Sequence, residues 1–228
     1  MGKIKDRNIQ ALILFLSSLV VFNIGFISTH GWARLFWNTA GYVTIYAAYR
    51  FASLNLKSIG LAKNNIKPGL KYGLSIIGLI AVGMALVFAI DKATFKDHRY
   101  HQDLHTALYA AIVLLPLKTV LFEELAFRGI LPAIGLKIKN QRRFASILSS
   151  SAFGLWHISS ATKIGDYHLT SGIVVPNLEV VFAVFVATFI TGYLLCELRW
   201  RSDSLAAPIA VHWFTNGFGL VLASLSWK

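Results

Sequence analysis

The sequence predicts an all-α fold, a polytopic bundle of about seven transmembrane helices that forms one integral membrane domain over residues 1–228. The composition is 56% hydrophobic and 14% charged, with a mean hydropathy of +0.60, well outside the usual range of soluble proteins. The apolar residues form continuous runs, several of them long enough to cross about 30 Å of hydrocarbon. Strands of a membrane barrel would instead alternate in shorter segments, so the runs indicate helices.

Seven apolar runs define the predicted helices in chain order. The runs cover approximately residues 9–29, 35–51, 74–90, 104–127, 144–161, 173–198 and 205–227. The first run is too long for the core of a secretory signal, so we expect it to be a retained helix. The longest connections, about residues 52–72 and 129–143, have room for short interfacial helices.

Basic residues between the runs predict the orientation. Lys3, Lys5 and Arg7 precede the first helix, and most of the other Lys and Arg residues lie around the second, fourth and sixth connections. The positive-inside rule therefore predicts a cytoplasmic N-terminus and a C-terminus on the outer side. The membrane topology and the attraction to membrane lipids then explain the net charge of +12. We therefore do not expect nucleic acid to be a partner. The short loops favour a bacterial plasma membrane.

The fourth run is broken by charged residues in the segment EELAFR. A charge at the centre of a membrane helix costs at least about 2.5 to 3.5 kcal/mol, so such residues need a reason to be there. On a regular α-helix Glu124 and Arg128 are i,i+4 neighbours, whereas Glu123 points about 100° away. Arg128 can thus orient Glu124, and Glu123 suits a general base. The simpler alternative is that these residues mark the cytoplasmic end of the helix.

The fifth and seventh runs contain further polar residues, namely His157 in GLWHIS and His212 with Asn216 in VHWFTNG. A single histidine in a membrane helix is usually a hydrogen-bonded packing residue. Two histidines, an amide and an acid pair on separate helices indicate a common polar site. The rise of about 1.5 Å per residue allows all of them to lie in one layer of the bilayer. We therefore predict a catalytic core over residues 104–216.

These segments match the patterns EExxxR, FxxxH and HxxxN, and Phe189 with Gly192 matches a fourth pattern, FxxG. The sequence thereby resembles the CPBP family of intramembrane proteases, named for CAAX prenyl endopeptidases and bacteriocin-processing proteins and also called the ABI family. The resemblance implies hydrolysis of peptide bonds in membrane-associated or lipidated peptides. The hypothesis predicts five catalytic residues: Glu123 and His157 would hold and deprotonate a water, His212 and Asn216 would donate to the oxyanion, and Glu124 would hold the first glutamate in place. Arg128 and Phe153 are the expected structural support.

A zinc or another divalent ion held by Glu123, His157 and His212 is a second version of this site, because a carboxylate and two imidazoles are an adequate ligand set. The zinc motif HExxH is absent from the sequence. The sequence leaves open whether the water is bound by a metal or by the side chains alone. It also leaves open a proton-coupled transporter, although no inverted repeat is found, and a non-catalytic scaffold or immunity factor.

Other residues near the motifs are interpreted as packing residues. Cys196 and the serines of the fifth run, Ser149 among them, are small residues that permit close helix packing. Exposed faces of small residues would permit a homodimer as well as a monomer. Aromatic residues in membrane helices usually pack or anchor, but five of them flank the motifs and are candidates for lining a substrate groove. They are Phe127, Phe153, Trp156, Trp213 and Phe214.

Overall fold

The computed structural model describes residues 2–97, 101–159 and 178–228, with side chains from residue 6 onward. This part of the chain is helical and contains no strand, which confirms the predicted all-α class. A short 3-10 turn, Lys92–Phe95, follows the third helix. The helices are α1 (Gly2–Ile27), α2 (Gly31–Phe51), α3 (Lys63–Ile90), α4 (Leu104–Lys139), α5 (Arg142–Trp156), α6 (Leu178–Ser202) and α7 (Ala206–Leu225).

Five of the described helices are long and apolar enough to cross a membrane. They are α1 from Asp6 to Ile27, α3, α4, α6 and α7. Helix α2 is not among them because it is more polar, with Arg34 and Asn38 within its apolar sequence. Helix α5 is not among them because only 15 of its residues are described. Parts of the predicted fifth and sixth spans, residues 160–161 and 173–177, lie outside the described residues. The number of spans and the orientation of the termini stay predictions.

The two long connections predicted from the sequence, residues 52–72 and 129–143, are both shorter in the structure. Helix α3 already begins at Lys63, so the connection before it covers only residues 52–62. Helix α4 continues through Leu131–Lys139, so only Asn140 and Gln141 join it to α5. Asn140 adopts the left-handed conformation, with φ of 48°, which ends the helix. The chain stays helical beyond Gly129 because, as described below, the backbone near Pro132 finds a side-chain partner.

The chain divides into two compact units, each built from two segments. The first unit comprises Met1–Ile59 and Leu125–Glu197, and the second comprises Gly60–Glu124 and Leu198–Lys228. In the first unit α1 packs against α2, and Gly25 lies directly against the ring of Trp37. The core of this unit contains fully buried apolar side chains such as Ile130, Leu131 and Ile134. The single membrane domain predicted from the sequence stays a prediction.

In the second unit α3 packs along α7 through small residues. A Cβ added to Gly73 would lie 3.0 Å from the carbonyl oxygen of Ala207, so the two backbones approach as closely as glycine allows. Near the start of both helices, the amide nitrogen of Asn65 donates to the carboxylate of Asp203 at 2.7 Å. These contacts hold α7, which carries His212 and Asn216, against α3.

Helix α4 departs from regular α-helical geometry in three segments, Ala110–Leu114, Pro116–Val120 and Leu125–Ile130, which are π-helical. The N–H of Leu115 donates to the carbonyl of Ala110, five residues earlier rather than four. The sequence predicted a regular helix, and the i,i+4 argument for Glu124 and Arg128 assumed one. The chain is π-helical over Leu125–Ile130, so the spacing of Glu124 and Arg128 is not that of a regular α-helix, and their pairing stays a prediction. π-Helical turns occur frequently at functional sites.

Candidate active site

The centre of the candidate site in the second unit is a buried pair formed by Glu124 and His212. Oε1 of Glu124, a fully buried residue, lies 2.7 Å from Nδ1 of His212. An ionised carboxylate only accepts hydrogen bonds, so Nδ1 of the imidazole carries the proton that it donates. On the opposite side of the ring, the amide nitrogen of Asn216 lies 3.0 Å from Nε2. The amide donates there, which corresponds to a neutral imidazole with its proton on Nδ1.

Glu123 lies beside the same imidazole. Its Oε2 is 3.8 Å from Nε2 of His212, beyond direct hydrogen-bond distance. A water about 2.8 Å from both atoms would be within hydrogen-bond distance of each. The structure therefore brings together four of the five residues predicted to be catalytic, and in it Glu123 and Asn216 both approach Nε2 of His212.

The first unit contains the remaining predicted residues, Arg128, Phe153 and His157. The guanidinium carbon of the fully buried Arg128 lies 3.9 Å above the ring centroid of Phe153, a cation–π contact. The edge of the same ring packs against His157 with 4.4 Å between centroids. Nδ1 of His157 donates to the carbonyl of Phe153 at 2.9 Å, because a carbonyl only accepts. Nε2 is therefore the nitrogen of His157 that can take up a further proton.

The glycine of the FxxG pattern lies against this arrangement. A Cβ added to Gly192 would lie 3.2 Å from Cδ1 of Phe153 and 3.4 Å from Cα of Ser150. A Cβ on Gly154 would come within 2.8 Å of the ring of Phe185. Both glycines therefore permit the close approach of α5 and α6, and Gly192 leaves room for the ring that contacts Arg128.

Ser149 has a role that the sequence analysis missed. Its hydroxyl donates a short hydrogen bond to the carbonyl of Phe127, and Sγ of Cys196 lies 4.0 Å from the same oxygen. In the π-helical segment this carbonyl would be paired with the N–H five residues later, but residue 132 is a proline and has none. Ser149 thus supplies a donor where the helix backbone lacks one. The proline five residues after Phe127 is the sequence signal that could have indicated this.

The metal ligands predicted from the sequence, Glu123, His157 and His212, belong to both units, so the metal version of the site stays a prediction. Among the residues that the structure describes, no three His, Cys, Asp or Glu side chains form a group that could hold one. Both ring nitrogens of His212 already have protein partners, Glu124 on Nδ1 and Asn216 on Nε2. A metal ion bound to either ring nitrogen of His212 would require one of these contacts to break.

A cavity of about 530 Å³ in the second unit reaches Asn216. The hydroxyl-bearing residues Thr119 and Thr215 line it beside Asn216, and Lys96 and Asp97 also contribute to its walls. Its volume lies in the range of about 300 to 1,000 Å³ that is typical of ligand pockets. Asn216 is therefore reached from a polar cavity large enough for part of a peptide.

The aromatic residues proposed to line a groove fall into two places. Trp213 and Phe214 line an apolar groove of about 400 Å³ between α3, α4 and α7 in the second unit. Phe127 and Trp156 line another of about 280 Å³ beside α1 in the first unit. Phe153 belongs to the Arg128 and His157 contacts instead. A role of these grooves in substrate binding stays a prediction.

A family model described as type II CAAX prenyl endopeptidase Rce1-like matches residues 105–218, half of the 228-residue chain. The matched region contains all four sequence patterns and every residue predicted for the site. The chain therefore belongs to the Rce1-like family of type II CAAX prenyl endopeptidases, a family of proteases, which confirms the resemblance drawn from the motifs. Together with the five apolar helices, this membership identifies an integral membrane protein. Comparisons with curated proteins and with solved structures gave no match.

Proposed function

We propose that the chain is an intramembrane endopeptidase that hydrolyses peptide bonds of membrane-associated or lipidated peptides. The observation that carries the proposal is a cluster inside the region that matches the protease family, in which Glu123, Glu124 and His212 are buried and the exposed Asn216 contacts the imidazole. Charged groups are costly in a membrane protein, and here two adjacent acids approach one imidazole that an amide also contacts.

Glu123 is the proposed general base. Its carboxylate takes a proton from a water, and the resulting hydroxide attacks the carbonyl carbon of the scissile bond. When the tetrahedral intermediate collapses, the C–N bond breaks and Glu123 returns the proton to the departing amine. The products are a new carboxylate and a new amino terminus. We retain His157 as an assisting base, because its Nδ1 is held by Phe153 and its Nε2 can take up a proton.

Asn216 and His212 are the proposed oxyanion donors. The amide of Asn216 has two N–H groups, and only one of them is needed for the contact with His212. His212 can donate from Nε2 only as an imidazolium, whose additional proton comes from bulk water; the Asn216 amide then turns from Nε2 to the oxyanion, and the carboxylate of Glu124 on Nδ1 stabilises the cation. Glu124 is thus a positioning residue for His212 in this mechanism. Donors arranged in advance around a developing oxyanion are each worth about 10²- to 10³-fold in rate.

Purified full-length protein in liposomes, incubated with prenylated and unmodified membrane peptides, tests the proposal. Mass spectrometry would identify new termini. We expect cleavage by the wild type, no cleavage by Glu123→Gln, and wild-type cleavage by Glu179→Gln, which makes the same change in α6 outside the motifs. No cleavage by the wild type across both peptide sets, or full activity of Glu123→Gln, would overturn it.

A further inference from the structure

We propose that Trp213 is a positioning residue for His212, through a hydrogen bond to a backbone carbonyl that Pro116 leaves without a donor in its own helix. The inference rests on the proposed function for its catalytic consequence and on the geometry of α4 and α7 for its physical basis. All residues involved belong to the second unit.

The hydrogen bonds of α4 show why an external donor is needed. In the π-helical segment Ala110–Leu114 the backbone follows an i,i+5 pattern, in which the N–H of Leu115 donates to the carbonyl of Ala110. The corresponding donor for Ala111 would be residue 116, which is a proline without an N–H. A buried backbone carbonyl without a donor is costly, and more so in a membrane.

Trp213 supplies this donor. Its indole Nε1 lies 2.8 Å from the carbonyl oxygen of Ala111. Trp213 is 39% exposed and lines an apolar groove, so its N–H needs an acceptor among protein groups. One turn further along α7, Gly217 passes close to the same residue, since an added Cβ would lie 3.5 Å from Cβ of Ala111. The two helices therefore meet closely where the indole binds.

The consequence for the site follows from the position of Trp213 in the chain. It directly follows His212, whose imidazole is held by Glu124 of the same helix α4. His212 and Trp213, which are consecutive in α7, thus bind two different residues of α4. These two contacts fix the position of α7 along its own axis and its rotation about that axis. If the indole contact is lost, α7 can shift and the distance of 3.8 Å between Glu123 and His212 changes. Misplacement of catalytic groups by about 1 Å can cost about 100-fold in rate.

The first unit contains an independent example of the same arrangement. Pro132 is the fifth residue after Phe127, and the carbonyl of Phe127 receives its hydrogen bond from the Ser149 hydroxyl. In both cases a proline in α4 removes a π-helical donor and a side chain from another helix replaces it. In both cases that side chain lies within one turn of a motif residue on its own helix.

Trp213→Phe tests the proposal because it removes the N–H while keeping an aromatic ring. We expect kcat to fall about 10- to 100-fold with little change in KM, since orientation rather than binding is lost. The matched control Trp227→Phe makes the same change near the end of α7 and should leave kcat unchanged. The decisive comparison is with Pro116→Ala, which supplies an N–H to the Ala111 carbonyl. In that background, Trp213→Phe should lose little or no further activity.

A readout without cleavage separates this inference from the proposed function. With 15N-labelled histidine, the ring resonances of His212 should shift or broaden in Trp213→Phe and change much less when Pro116→Ala is also present. If the wild type cleaves no peptide, the proposed function fails while the resonances still test the positioning. Unchanged resonances in Trp213→Phe would overturn the inference. Equal losses of activity in both backgrounds would overturn it as well.

Discussion

Nδ1 of His212 lies 2.7 Å from Oε1 of Glu124, so an imidazole and a carboxylate separated by 88 positions in the sequence form one buried pair. The second glutamate of the EExxxR pattern is therefore directly linked to the histidine of the HxxxN pattern. The first glutamate, Glu123, contacts the other side of that ring only at a longer distance of 3.8 Å. Adjacent acids in the chain thus have different relationships to one histidine.

Glu124→Gln should strongly reduce turnover while leaving the fold intact. The glutamine oxygen can still accept from Nδ1 of His212, but it supplies no negative charge to stabilise a protonated ring. We expect kcat to fall at least about 100-fold, as for other histidines whose carboxylate partner becomes an amide. Peptide cleavage measured over a range of substrate concentrations would give kcat and KM, with near-ultraviolet circular dichroism as the check on folding. A variant with wild-type kcat would contradict the assigned role.

The link between Glu124 and His212 also shows where local sequence patterns stop being informative. Spacing predicted one polar site that also includes His157, and the structure brings Glu123, Glu124, His212 and Asn216 together. The spacing paired Glu124 with Arg128, because only neighbours on the same helix can be inferred from a local pattern. The contact with His212 depends on how α4 and α7 pack, which requires the tertiary structure.

Gly192→Ala should destabilise the first unit by displacing the ring of Phe153. The added Cβ would lie 3.2 Å from Cδ1 of that ring, and overpacking of this kind costs about 1 to 3 kcal/mol. Because Phe153 contacts both Arg128 and His157, we also expect lower peptidase activity. Thermal unfolding in detergent measures the first effect. The matched control is Gly78→Ala in α3, where an added Cβ meets nothing within 4 Å, and it should not lower the unfolding temperature.

Phe153→Leu should lower stability through loss of the cation–π contact with Arg128. The guanidinium lies 3.9 Å from the ring centroid and is fully buried, conditions under which such a contact is worth about 2 kcal/mol or more. Leucine keeps the site apolar but offers no ring face. Phe189→Leu, which removes a ring of the FxxG pattern that stacks on Phe185, is the comparison. An equal loss of unfolding free energy in the two variants would argue against a special contribution from Arg128.

The geometry of α4 explains why its length was underestimated from the sequence. The sequence predicts a connection over about residues 129–143, a stretch that contains Gly129, Pro132 and Gly135, and proline and glycine usually end helices. The helix nevertheless continues to Lys139 because the hydroxyl of Ser149 compensates for the missing N–H of Pro132. A donor on a different helix cannot be foreseen from local composition, so the sequence indicated a connection where the structure has a helix.

Prolonged treatment with a divalent-metal chelator should leave cleavage unchanged. The expectation rests on the donor set, because both ring nitrogens of His212 already have protein partners. Peptide cleavage would be compared before and after dialysis against the chelator, with metal content measured by elemental analysis. Loss of activity that is restored by zinc would contradict the direct activation of water by Glu123.

The start of α4 should be sensitive to acid through Asp103, which lies just before the first apolar turn of this helix. Hydrogen bonds from the Thr106 hydroxyl at 2.6 Å and the Thr106 N–H at 3.0 Å hold the pKa of Asp103 below its ordinary value of 3.8. A lowered pKa in the folded state means that Asp103 stabilises the helix start fully above pH 3.8. This stabilisation is lost as the pH falls through the lower pKa of the folded state.

Thr106→Val tests the cause of this shift, because it removes the hydroxyl and keeps the backbone N–H. We expect the titration midpoint of the Asp103 carboxyl, followed by 13C nuclear magnetic resonance, to rise towards 3.8 relative to the wild type. Amide exchange at Ala107, whose N–H donates to the Asp103 carbonyl, should then accelerate at a higher pH than in the wild type. Asp103→Asn cannot titrate, and its exchange should show no such acid-induced step. Identical midpoints in wild type and Thr106→Val would show that the hydroxyl does not lower the pKa, leaving the backbone N–H as its cause.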